Sequence, residues 1–133
     1  SRHGWFTDPD NAAVDPSGRL WISTDGNRPG SHSERCDGLW AMETEGPARG
    51  SGRHFFRCPV GAEMCGPVFT QDGETLFVAV QHPADAGVSK WAEFGRASSF
   101  DDPATRWPDF QAAMPPRPSV VAVTKEDGGE IAG

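Results

Sequence analysis

The segment Gly66–His82, GPVFTQDGETLFVAVQH, carries two short apolar runs on either side of Asp72-Gly73, a dipeptide suited to tight hairpin turns. An antiparallel hairpin accounts for this pattern, because the turn residues tolerate a left-handed backbone and the flanking β-branched and aromatic side chains fit a pleated surface. An earlier segment, Asn11–Asp25, reads NAAVDPSGRLWISTD and repeats the design, with Pro16 second and Gly18 last in its turn. The turn glycines Gly18 and Gly73 each follow a carboxylate, Asp8 and Glu63, by ten residues, and the hairpins end at the matching positions Asp25 and Gln81. Two copies of one hairpin, each with a carboxylate on its incoming loop, predict a β-repeat.

The remaining strands complete two units. Gly38–Glu43 and Ser51–Cys58 alternate as strands and bring the first unit, residues 8–59, to four. Thr7-Asp8-Pro9-Asp10-Asn11 reads as a loop feeding the first strand, and Asn27–Asp37 as a long polar loop. The second unit, 63–133, continues with Ser119–Lys125 and, after the Asp127-Gly128-Gly129 turn, a fourth strand at Glu130–Ala132. Between its strands lies a proline- and aromatic-rich insertion at 83–118, in which Ser89–Phe94 has the pattern of one helical turn. Trp91, Phe94, Phe100, Trp107 and Phe110 are expected to pin this insertion to the body. Short strands in repeating units of this length fit blades of a β-propeller, so the expected fold is all-β, with about two four-stranded antiparallel blades. Two blades leave open strand edges, which predicts homo-oligomers, a dimer or a six-bladed trimer. A small β-sandwich of the same strands is the structural alternative.

Composition narrows the function classes. The 133 residues carry a net charge of −7, which argues against nucleic-acid backbones and anionic membrane surfaces as partners. Nowhere does an apolar run approach the roughly 20 residues needed to cross a bilayer, and the first residues lack the succession of a signal peptide. The abrupt start at Ser1 reads as a piece of a longer protein. Cys36, Cys58 and Cys65 lack the paired spacing of a zinc site and are expected as free thiols; a Cys58–Cys65 disulfide is the alternative if their strands are adjacent. There is neither a Gly-rich phosphate loop nor a nucleophile elbow, so covalent serine catalysis has no support.

The pieces PDN with DPSGRLWISTDG, GAE with CGPVFTQDGETLFVAVQHP, and MPPRPSVVAVTKEDGG, spread in order over nearly the whole chain, resemble the C-terminal portion of the PhoX-type alkaline phosphatases. The resemblance implies a secreted, periplasmic or extracellular propeller in which calcium and iron ions at one end of the channel serve hydrolysis of phosphate-ester substrates. Clustered cations neutralise phosphate and polarise its P–O bonds, and hard cations require oxygen ligands. Family proteins are several times longer, so most blades and the expected catalytic arginine lie outside this chain, which is expected to be inactive alone. Met64-Cys65 and Ala84-Asp85 depart from the family pattern. The PDN and TDG elements also resemble gluconolactonase-type propellers, the runner-up; a non-catalytic β-repeat binding or assembly module is the third reading.

The resemblance turns Asn11 and Asp10, otherwise ordinary turn formers, into metal ligands. Asp25, at a strand end on the same rim, and Glu63, on the second unit's incoming loop, join them. His82 is assigned to phosphate or to orienting a ligand carboxylate. His3, His32 and His54 have no ligand-like spacing and read as surface residues. Trp21, Trp40 and Phe77 read as core, and Arg117 as an edge residue paired locally.

Overall fold

The structure is a computed structural model that describes residues 6–26, 35–85 and 96–132. Seven strands form two antiparallel sheets: β1 (Pro9–Val14), β2 (Leu20–Thr24), β3 (Gly38–Met42) and β4 (Gly52–Arg57) in the first, then β5 (Glu63–Phe69), β6 (Leu76–Gln81) and β7 (Ser119–Val123) in the second. Each sheet is a simple meander, with neighbours in sequence hydrogen-bonded in order. The all-β, blade-like architecture is therefore as expected. The second sheet, however, has three strands and not four.

The missing strand has a physical cause. Instead of returning along β7, Glu130–Ala132 folds against the β5–β6 turn: the Ile131 amide donates to the Gly73 carbonyl at 2.9 Å. Ser17 Oγ donates to Glu130 at 3.1 Å, and the Arg19 guanidinium donates to the Ala132 carbonyl. The tail thus ties the turns of both hairpins together, spending its polar groups there rather than on a ladder.

The two sheets enclose one core of Trp21, Leu39, Cys58, Ala62, Met64, Leu76, Val78 and Val80. Strand alternation explains this set, since Leu76, Val78 and Val80 are buried on one face of β6 while Phe77 and Gln81 are exposed on the other. Trp21 lies edge-on to Phe55 and Phe69, with centroids 4.8 and 5.1 Å apart. Its indole N–H donates to the buried Asp15 carboxylate at 2.8 Å, so the aromatic body and the polar tip are both accommodated. Asp15 also receives the Arg19 amide at 2.9 Å and thereby closes the first hairpin turn. On the opposite face of β3, Trp40 is stacked by His54 at 4.2 Å and touched by Phe6 at 5.5 Å.

Several expectations need correction. Phe77 is 39% exposed, because its register puts it on the outward face of the second sheet. His54 is half-buried against Trp40 rather than a surface residue. In the insertion, Trp107 packs on the core, but Phe100 and Phe110 are 80% and 71% exposed and pin nothing. Arginines do that work: Arg96 donates to the carbonyls of Asp102 and Pro103, and Arg106 to those of Met114 and Asp101. Arg117 pairs with Asp109 at 2.6 Å, as anticipated. The Ser89–Phe94 turn, Trp91, Phe94, His3, His32 and most of the Asn27–Asp37 loop lie outside the described residues.

Candidate metal centre

One rim of the molecule gathers the start of β1, the end of β2, the start of β5 and the end of β6. Antiparallel order dictates this, since neighbouring strands must alternate starts and ends along a shared edge. Pro9 pairs with Thr24, and Glu63 pairs with Gln81, so the two hairpins present equivalent rims. The incoming elements are strands rather than loops. Asp10 and Asn11 already belong to β1, and Glu63 is the first residue of β5.

Glu63 is the hub. One carboxylate oxygen, Oε2, accepts from Gln81 Nε2 at 2.8 Å and lies 3.2 Å from His82 Nε2. The other, Oε1, accepts from the Cys65 thiol at 3.0 Å. Cys65 stands two residues along β5 from Glu63, hence on the same face, and Gln81 also reaches its sulfur at 3.2 Å. Ligand-capable atoms of Asp10, Glu63 and Cys65 all lie within 4.8 Å of one another, so side chains from both sheets converge.

The electrostatics follow from that convergence. The Asp25 carboxyl is raised above its ordinary value, first by burial and then by the charges of Glu63, Asp37 and Asp10, with His82 opposing. The Cys65 thiol is pushed up to about 11, chiefly by burial and by its hydrogen bond to Glu63. Burial pulls the His82 imidazole down, but its bonds to Glu63 and to the Gly61 carbonyl at 3.1 Å outweigh this and leave it raised. His82 holds this position in a left-handed backbone conformation, φ 36°, as does Asp8 at φ 50°.

Asn11 sits differently. Its Oδ1 accepts the Gly66 amide at 2.9 Å, while its backbone bonds Ser23 Oγ, so it stitches β1 to the bulge of β5. Asp25 is exposed at the strand end, its amide bonded to the Asp8 carbonyl at 3.0 Å. Behind it, buried Asp37 accepts Thr24 Oγ1 at 2.7 Å and the Gly26 amide at 3.1 Å, fixing the turn that presents Asp25. Asp37, Cys65 and Gln81 were missed in the sequence. Period-two spacing from Glu63 could have found Cys65, and the hairpin alignment already pointed at Gln81. All three cysteines are free, and the Cys58–Cys65 disulfide is not formed.

A group of like charges held this close favours a cation. The Cys65 thiol keeps its proton and serves as a donor to Glu63, which leaves the carboxylate oxygens of Asp10 and Glu63 as the hard donors of this group.

Residues 1–84 match the sequence model of the family described as alkaline phosphatase PhoX. The chain belongs to the PhoX family. Its fold also superposes on a solved PhoX from Pseudomonas fluorescens, in complex with vanadate, a transition-state analogue, with a TM-score of 0.68 and 33% identity. That alignment covers 92% of this chain and 18% of the PhoX chain, so the present sequence spans under a fifth of that solved relative. No match is found among curated proteins. The family match reaches from β1 through β6 and so contains Asp10, Asn11, Asp25, Glu63 and His82, the whole of the rim.

Proposed function

We propose that this chain forms part of the metal-holding rim of a secreted PhoX-type alkaline phosphatase that hydrolyses phosphate monoesters, and that it is inactive alone. The observation carrying this reading is the convergence of Asp10 and Glu63 from two sheets, within 4.8 Å, beside an Asp25 whose proton affinity is raised by both. Asp10, Asp25 and Glu63 are the oxygen ligands for calcium or iron. Asn11, engaged with Gly66, adds its remaining carbonyl lone pair. Bound cations would neutralise the phosphate and polarise its P–O bonds.

The chain's own residues prepare the rim. Gln81 and the Cys65 thiol fix the rotamer of Glu63 from opposite oxygens. His82, held between the Gly61 carbonyl and Glu63, retains its proton more readily than a free imidazole and orients the Glu63 carboxylate with its second N–H. The periplasm or extracellular space is the compartment proposed for the enzyme.

The test is thermal unfolding with and without calcium and ferric ions, in parallel with a p-nitrophenyl phosphate assay. Metal should raise the melting temperature of the wild type and not of Glu63→Gln, with no turnover in either. Equal shifts in both proteins would remove Glu63 from the site and favour a non-catalytic module, whereas turnover by the isolated chain would refute its incompleteness.

A further inference from the structure

Three consecutive backbone positions around Asp25 are held, and none of the bonds that hold them uses the Asp25 carboxylate. Before it, Thr24 is fully buried, and its Oγ1 donates to Asp37 Oδ1 at 2.7 Å while accepting the Gly38 amide at 3.2 Å. At Asp25 itself the amide donates to the Asp8 carbonyl at 3.0 Å. After it, the Gly26 amide lies between the two oxygens of Asp37, 3.1 Å from each, with Gly26 at φ 131°. Asp37 thus bonds the residues on both sides of Asp25, although it is itself only 8% exposed. Its backbone carbonyl accepts the Cys58 amide at 2.8 Å, which anchors it beside the end of β4. A carboxylate at this depth is costly unless its oxygens are bonded, and here those bonds converge on the turn that carries Asp25.

We propose that Asp37 is a positioning residue of the metal rim: by clamping Thr24 and Gly26 it fixes the direction in which Asp25 delivers its carboxylate, and so sets the rim's affinity for a hard divalent cation. The inference rests on the proposed ligand role of Asp25. Partners of this kind, one bond removed from the ion, typically account for roughly 10–100-fold of metal affinity. An amide is a poor substitute for this carboxylate. Asparagine would keep one oxygen for the Thr24 hydroxyl but turn an N–H toward the Gly26 amide, donor against donor. The clamp therefore has two separable arms, one to Thr24 and one to Gly26.

Calcium titrations read by thermal unfolding give the concentration at half-maximal stabilisation. Asp37→Ala should raise that concentration roughly 10–100-fold and Asp37→Asn roughly tenfold, and the asparagine variant carries the measurement if the alanine one does not fold. Both changes also remove a charge near Asp25. Thr24→Val keeps every charge and removes only the hydroxyl between Asp37 and the Gly38 amide, so a positioning role predicts weaker calcium binding there too. Asp15→Ala, in the first hairpin turn, should lower the melting temperature without calcium and leave the calcium midpoint unchanged. With no metal present, amide exchange at Gly26 should quicken in Asp37→Asn while the β2 ladder stays protected. Calcium midpoints near the wild type in both Asp37 variants, an unaltered midpoint in Thr24→Val, an equal loss in Asp15→Ala, or an unchanged Gly26 amide would each overturn the positioning role. A wild type that calcium does not stabilise would instead remove the metal reading, and this inference with it.

Discussion

Asp15 is the residue on which the two-hairpin plan can be tested most directly. Its side chain is 2% exposed and faces the Trp21 indole N–H at 2.8 Å, the Arg19 amide at 2.9 Å and the Arg19 guanidinium at 3.9 Å. Replacement by alanine leaves the buried indole donor and the turn amide without acceptors. Each unsatisfied donor costs about 1–3 kcal/mol, and since the Arg19 side is partly solvated the sum should be about 2–4 kcal/mol. A domain of this kind has about 5–15 kcal/mol in total, so the loss is a large share of its stability. Asp15→Asn keeps one oxygen and should cost about half as much, because its amide nitrogen must face one of the two donors. Urea unfolding followed by tryptophan fluorescence reads both variants, with Trp21 itself reporting. An alanine variant within about 0.5 kcal/mol of wild type would refute the reasoning, because it would mean that water or a rearranged turn satisfies the indole.

Two further perturbations address the rim and the first sheet. The folded His82 is raised above its ordinary 6.5, so the stability from its contact with Glu63 is complete below pH 6.5 and is lost as pH rises through the folded value. Thermal melts with a chelator present should therefore decline as pH rises above 6.5, and Glu63→Gln should flatten that decline; an unchanged pH profile in the variant would remove the pairing. Gly38→Ala would place a methyl 2.2 Å from the Phe56 carbonyl oxygen and 2.7 Å from His54 Nε2. Backbone cannot yield as a flexible side chain can, so the β3–β4 pairing should open at a cost of about 3 kcal/mol or more; circular-dichroism melts matching the wild type would contradict the register.

The hairpins were legible because their information is local. Asp15-Pro16-Ser17-Gly18 and Asp72-Gly73 specify turns by their own backbone preferences, and Gly18 and Gly73 adopt the positive φ those turns require. Where the prediction failed, the deciding interaction was remote. Glu130–Ala132 has the pattern of a strand, yet its competitors are Gly73, Ser17 and Arg19, which lie far away in sequence. Phe77 has a core residue's composition, but the strand's parity assigns the inner face to Leu76, Val78 and Val80 and sends it outward. The insertion shows the same limit. Its aromatics suggested anchoring, whereas the carbonyls of an irregular segment need donors first, and Arg96 and Arg106 meet that need.

The rim was legible residue by residue and illegible as an arrangement. Asp10, Asp25, Glu63 and His82 were singled out through the family resemblance and their places at the two hairpins' equivalent rims, since turn chemistry alone gives each an ordinary structural reading. Which of them converge depends on the packing of one sheet against the other, and that packing is set by side chains such as Trp21 and Met64 that have no part in the chemistry. The bulge between Cys65 and Val68 completes the link: with Gly66 at φ 53°, its amide turns toward Asn11 and ties β1 to β5. Asp10 is the residue beside Asn11, so the hydrogen bond that occupies Asn11 is also what sets Asp10 within reach of Glu63. Asn11 is accordingly a positioning residue for the proposed ligand Asp10. Asn11→Ala should loosen the rim by releasing β1 from β5, even where the metal is held by the carboxylates alone.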